Sequence, residues 1–320
     1  MSDYLWFEGI PFPTIEYEKE IMEKSCDKFV FRDEDTFILT YPKSGSNWMK
    51  EIVCLIQSKG DPTWVQSVPI WDRSLSIESQ RGYQKLINKE GPRLINSHLP
   101  FHFFPESFFS SKAKIIYVIR NPRDVLVSGY FFWSKTKFVK IPESLTTYFE
   151  WFIKGNGFPE LIPVSLSIWF LQSLAEGSLM TMWIVTNLIT GNVAYGSWFE
   201  HTRAWLSMRE RDNFLLLSYE DLKKDTKSTI KKICDFLGKK LEPDELDMVL
   251  KYSSFQAMKE NKMSNFSLIK EDMAPNGLDL LRKGTTGDWK NYFTVAQAEA
   301  FDKVFQEKMA GFPPGLFPWE

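Results

Sequence analysis

Cysteine is scarce and irregularly spaced in this sequence: Cys26, Cys54 and Cys234 are the only three, with no C-x-x-C pair among them. That excludes a disulfide or zinc framework, and each thiol reads as core packing in a reducing compartment, which predicts the cytosol. Charge of one sign is lacking too. With 39 basic and 41 acidic residues the formal net charge is -2, so no overall field favours nucleic acid or an anionic membrane, and any anion site must be built locally. The first residues include Asp3, Glu8, Glu16, Glu18 and Glu20, which predicts no secretory leader. Long apolar runs are also missing. The most apolar stretch, 157–192, carries only Glu160 and Glu176 but breaks at Ala175-Glu176-Gly177-Ser178. Neither piece reaches the ~20 residues of a membrane span. No His/Cys/carboxylate cluster has ligand spacing, so no metal is expected. No repeat or low-complexity linker divides the chain.

Aromatic residues, by contrast, make up 16% of the chain, enough for a large core and an apolar pocket. Apolar runs at 36–41, 115–119 and 214–217 read as buried strands, with a shorter one at 93–95. Helical patterns follow at 47–57, 125–132 and 226–237. The alternation predicts an α/β fold: a parallel central sheet flanked by helices, in a P-loop-like nucleotide-binding architecture. Ligands in such sheets lie beyond the carboxyl ends of the strands. Lys43, His98, Arg120 and Ser218 all fall just past a strand end.

Three motifs carry the chemistry. Tyr41-Pro42-Lys43-Ser44-Gly45-Ser46-Asn47-Trp48 joins a strand to a helix through a basic loop. Loop N–H groups, a helix N-terminus and a lysine form an anion cradle. The first glycine of G-x-x-x-x-G-K-[ST] is absent, so the group held is not the β/γ pair of ATP, and a kinase reading is disfavoured. Arg120-Asn121-Pro122-Arg123-Asp124, continuing to Ser128, offers an arginine and a hydroxyl for a second phosphate. The structural alternative is an Arg120 salt-bridged to Asp124 or a neighbour. Arg282-Lys283-Gly284-Thr285-Thr286-Gly287-Asp288-Trp289-Lys290 reads as a basic lid or as a solvated loop. Of the three histidines, His98 follows a strand, whereas packing or surface roles fit His102 and His201.

Together these motifs closely resemble the cytosolic sulfotransferases. Leu5-Trp6-Phe7-Glu8-Gly9, Ser67-Val68-Pro69-Ile70-Trp71 and the end Leu316-Phe317-Pro318-Trp319-Glu320 are similar to the hydroxysteroid or bile-salt branch. The resemblance implies a single domain over 1–320 and 3′-phosphoadenosine 5′-phosphosulfate as donor. It implies Lys43, Ser44, Gly45, Ser46, Asn47 and Trp48 around the 5′-phosphosulfate and adenine, and Arg120, Ser128, Arg282, Lys283 and Gly284 at the 3′-phosphate. Tyr219 and Ser253 match adenosine contacts, and His98 matches the catalytic base. Tyr17, Trp71, Phe132, Trp133 and Phe138 fall near the acceptor pocket, where core packing is the alternative for each. A hydrophobic alcohol, steroid or bile acid, is the implied acceptor. Asn96 stands where phenol-using relatives often carry lysine, and Ser76 and Thr136 replace larger apolar residues. Lys290, Thr294, Val295 and Glu299 fit a short homodimer motif.

The family pattern runs directly from Trp151–Gly155 to Val193–Trp198, so 157–192 reads as an apolar insertion of about 36 residues, far longer than an ordinary connection. It leaves two expectations open. The chain is an active alcohol sulfotransferase, or it is a non-catalytic variant that binds donor nucleotide or pairs with an active sister chain.

Overall fold

The structure is a computed structural model that describes residues 4–137, 139–140, 142–154, 193–269 and 280–320. Expectations about Phe138 and about 157–192 fall outside these residues.

Strands with apolar side chains on both faces need cover on both sides. Five such strands form the central sheet, in the order β4-β5-β3-β6-β7. They are β3 (Thr36–Thr40), β4 (Leu75–Ser76), β5 (Leu94–Ser97), β6 (Lys114–Ile119) and β7 (Phe214–Ser218). Every pairing is parallel. The register aligns their carboxyl ends: Leu39 opposes Ser97, Thr40 opposes Val118, and Ile119 opposes Ser218. After β3 the chain fills one side of the sheet through β4 and β5, then crosses to β6. The order therefore reverses at β3, and the crevice beside it is where this class of sheet holds ligands.

Alternation along the strands divides the core in two. Phe37 and Leu39 of β3 join Ile115 and Tyr117 of β6 on one face. Ile38, Ile116 and Val118 face the other. On that second face Ser46–Gln57 packs with Thr226–Leu237 and Pro243–Tyr252 through Ile52, Ile230 and Val249. The first face holds most of the aromatics. Phe37, Phe104, Phe108 and Trp205 meet there at ring spacings of 4.6–6.4 Å, which favours edge-on packing. Two short strands outside the sheet, β1 (Leu5–Phe7) and β2 (Ile10–Phe12), pair antiparallel and cover this face. Sequence patterning had found neither these strands nor the two-residue β4.

Candidate active site

The loop after β3 turns sharply at two left-handed residues, Lys43 (φ 69°) and Gly45 (φ 104°). A Cβ on Gly45 would stand 2.8 Å from the Tyr219 ring, so glycine is required there for contact as well as for conformation. Gly45 caps Ser46–Gln57 with no side-chain bond to the first-turn N–H groups. Those donors stay open to an incoming acceptor, in a field that favours anions.

Arg120 ends β6 and bridges two of the motifs. Its guanidinium donates to the Lys43 carbonyl at 2.9 Å and to the Thr285 carbonyl at 3.2 Å, and stacks over the Tyr219 ring at 4.3 Å. The structural alternative, an ion pair with Asp124 or a neighbour, is not realised among the described residues, where Arg120 bonds to carbonyls. Asp124 instead accepts from Gly287 N at 2.7 Å and Trp289 N at 3.0 Å. This carboxylate at the start of Pro122–Trp133 fastens the third motif against the first two. Within that motif Asp288 takes hydrogen bonds from Arg282 and Lys283, each at 2.7 Å. Against the upward push of burial, its bonds to Lys283, Asn291 and Arg282 hold its carboxyl at about 2. A Cβ on Gly284 would fall 2.3 Å from the Phe255 ring. Lys43 Nζ lies 3.9 Å from the centre of the Phe132 ring. Burial lowers its pKa to about 7, and the charges of Arg120 and Arg282 add to that.

His98 follows β5. Its Nδ1 lies 2.8 Å from the Thr40 carbonyl, with Thr40 Oγ1 at 3.0 Å. A carbonyl only accepts, so Nδ1 carries the proton and Nε2 keeps its lone pair. Burial pushes the imidazole down to about 4, partly opposed by the Thr40 carbonyl and helped by Lys50 and Lys43. It is therefore neutral at pH 7. The His98 N–H donates to Glu78 Oε1 at 2.9 Å. Glu78 is wholly buried, and burial pushes its carboxyl up even though that N–H pulls it down. Tyr195 packs edge-on against the imidazole at 5.5 Å and shares a 2.6 Å hydrogen bond with Tyr17. Glu78 and Tyr195 were missed as site residues. Glu78 follows a strand too short to register, and only its motif context marks Tyr195.

One cavity of about 630 Å³ joins these groups. Lys43, Gly45, Ser46, Asn47, Trp48, Arg120, Ser128, Tyr219, Arg282, Lys283 and Gly284 line it, as do His98, Tyr17, Trp71 and Trp133. Ser44 and Ser253 do not line it; both are buried, and Ser253 Oγ donates to the Val249 carbonyl at 2.7 Å. His201 hydrogen-bonds the Tyr117 hydroxyl at 3.1 Å inside the core, and His102 is exposed. Among the described residues, Ser44 Oγ, Trp48 Nε1 and Arg120 Nε are buried without hydrogen-bond partners. Such donors gathered round a basic loop fit a multiply charged anion. No group of three or more His, Cys, Asp or Glu that could hold a metal occurs among the described residues. No described helix is long and apolar enough to cross a membrane.

Sheet, switch point and cradle define a P-loop-like α/β protein built around a phosphate-type ligand. Its family is specific: the sulfotransferase domain matches residues 33–313, and the chain belongs to the sulfotransferases. It is 67% identical over 320 residues to mouse sulfotransferase 2A2, covering 100% of both chains. With guinea-pig 3-beta-hydroxysteroid sulfotransferase the identity is 57%, covering 100% of this chain and 99% of the relative. Mouse sulfotransferase SULT7A1 complexed with PAP superposes with a TM-score of 0.72 at 27% identity, covering 97% of this chain and 96% of that one. A retinol dehydratase crystallised with androsterone and PAP shares the fold with a TM-score of 0.71 at 20% identity, over 92% of this chain and 88% of that one.

Proposed function

We propose that the chain moves a sulfuryl group from 3′-phosphoadenosine 5′-phosphosulfate to the hydroxyl of a hydrophobic alcohol of the hydroxysteroid or bile-acid type. The observation that carries this reading is the single cavity lined by both the Lys43 cradle and His98, whose Nδ1–H bond to the Thr40 carbonyl leaves Nε2 unprotonated. The donor contributes a sulfuryl group on a good leaving phosphate and needs anion sites at two places. The Lys43 loop offers one; Arg120, Ser128, Arg282 and Lys283 offer the other. The acceptor oxygen bonds to sulfur in line with the breaking bond to the phosphate oxygen. Nε2 takes the hydroxyl proton as that oxygen attacks. Charge gathers on the departing oxygen, where the ammonium of Lys43 and the loop N–H groups stabilise it. Trp71 and Trp133 give the acceptor apolar wall, and the Tyr195 ring, hydrogen-bonded through its hydroxyl to Tyr17, packs on the His98 ring.

Replacing Lys43 by Met and His98 by Ala tests both roles in a sulfate-transfer assay on a hydroxysteroid. Each change should cut kcat by about 100-fold or more. Undiminished turnover in either variant removes the role assigned to that residue. Binding of the nucleotide without transfer in the unaltered chain would leave only a donor-binding protein.

Two copies associate, in this reading, through Lys290, Thr294, Val295 and Glu299. Its support is Val295, which is 77% exposed at the start of Val295–Lys308, beside a capping box from Thr294. A single apolar knob flanked by a cation and an anion suits a small two-fold contact. Val295→Glu should convert a dimer to monomer in sedimentation; an unchanged dimer refutes this patch. The cytosol is the proposed location, in keeping with three free cysteines.

A further inference from the structure

Two charged residues stand side by side in the middle of a buried helix. Lys50 and Glu51 belong to Ser46–Gln57, where every residue from 49 to 56 is buried. Glu51 is neutralised: Arg73 Nη1 lies 2.8 Å from Oε2, and Ser264 Oγ lies 3.1 and 3.0 Å from its two oxygens. Lys50 is not. The residue is 7% exposed, yet among the described residues its ammonium has no hydrogen bond and no carboxylate within 4.0 Å. It lines the cavity together with Ser74, Ser76 and Asn96.

Lys50 shares this cavity with Lys43 and His98. Lys43 responds to burial and then to Arg120 and Arg282. Lys50 responds to burial, which lowers it to about 8, and then to Glu78, Cys54 and Arg73. His98 responds to both lysines. Both lysines and the imidazole line one cavity, and Ser76 and Asn96, which the family resemblance places at the acceptor, line it with them.

We propose that Lys50 determines acceptor specificity by pairing with an anionic oxygen on the acceptor and rejecting acceptors whose buried face is all hydrocarbon. The step to an acceptor rests on the sulfotransferase reading above. Water in the open cavity can solvate the ammonium. A wholly apolar acceptor expels that water and leaves a cation against hydrocarbon, a costly arrangement. A carboxylate oxygen there replaces the water with a charge-assisted hydrogen bond. Glu78 does not fill this role: it lies beyond 4.0 Å, and its Oε1 already accepts from the His98 N–H. Attraction for one acceptor and repulsion of the other act through the same side chain, which is how pockets gain large discrimination.

The test is equilibrium binding to the complex with 3′-phosphoadenosine 5′-phosphate. Two hydroxysteroids on one ring system serve as probes, one with no other oxygen and one with a carboxylate. The proteins are the unaltered chain, Lys50→Met and Lys50→Arg. The unaltered chain and Lys50→Arg should bind the carboxylate steroid about tenfold or more tighter than its neutral counterpart. Lys50→Met should erase or invert that ratio while keeping its nucleotide affinity. A preference of the unaltered chain for the neutral steroid overturns the proposal by itself, whatever the variants do. So does a Lys50→Met change that shifts both steroids equally, which is the mark of a merely structural role. Because binding is read without turnover, failure of sulfate transfer would strike the catalytic reading and leave the binding ratio to judge Lys50.

Discussion

Lys43 is held in an unusual state for an ammonium. Burial, and the nearby charges of Arg120 and Arg282, bring its pKa to about 7, so near neutrality an appreciable fraction of the empty site carries a neutral amine. An anion entering the cradle reverses the balance, because opposite charge favours the protonated form. Nucleotide binding should therefore take up protons above pH 7, and affinity should fall as pH rises through 7 and beyond. Calorimetry of 3′-phosphoadenosine 5′-phosphate binding at pH 8, in buffers of different ionisation enthalpy, reads the uptake directly. Glu220, raised to about 7 by burial despite the Asn121 N–H and Arg120, also gains a proton if the anion lies near it. The comparison with Lys43→Met isolates the lysine: uptake should drop by most of one proton in the variant. Equal uptake in both proteins would assign the protons elsewhere.

The three motifs come from distant parts of the chain, and at the level of elements one carboxylate joins them. Asp124 sits in the first turn of Pro122–Trp133 and accepts two backbone N–H groups of the Arg282–Lys290 segment. Charged acceptors of this kind contribute roughly 1.5–3 kcal/mol per bond. Asp124→Ala should release that segment from the cradle and weaken nucleotide affinity tenfold or more, with Arg120 and Lys43 untouched. Fluorescence titration of the tryptophans against the nucleotide measures it; an unchanged Kd would show that the loop is held by other contacts. The same elements explain what was legible in the sequence. Strands β3, β6 and β7 were readable because each is a continuous apolar run, and in β3 and β6 both faces are buried. The strand ends placed Lys43, His98, Arg120 and Ser218 at one edge; the register does align those ends, but Ser218 is the last residue of β7 and does not line the cavity. β4 escaped because two residues have no period. Lys50 and Glu51 escaped because charged residues in a helical pattern read as a solvated face, whereas this helix is covered on all sides. Glu78 escaped for a related reason: its importance lies in a bond to a backbone N–H twenty residues on, a contact that leaves no trace in local pattern.

At the scale of the whole molecule the donor and acceptor ends of the cavity depend on different parts of the chain. The cradle is assembled from the loop after β3, from Arg120 and Pro122–Trp133, from Tyr219 and from the Arg282–Lys290 segment. None of these is next to residues 157–192 in the sequence, whereas one residue of the acceptor end is close to them in it. Tyr195 follows that segment by three residues, packs on the His98 ring and hydrogen-bonds Tyr17. It is held in the left-handed region at φ 69°, and its N–H donates to the Pro11 carbonyl at 2.9 Å. A non-glycine residue in that conformation persists only where its surroundings fix it, so the path of the chain into Val193 bears on where the Tyr195 ring lies. Removing 157–192 should accordingly leave nucleotide affinity within about twofold while changing acceptor KM or kcat by tenfold or more. On the reading of 157–192 as an insertion, the direction expected is a gain. Both constants measured on the full and the shortened chain decide it. A loss of nucleotide binding on deletion would mean that the two ends of the cavity are not independent, and that the segment supports the cradle itself.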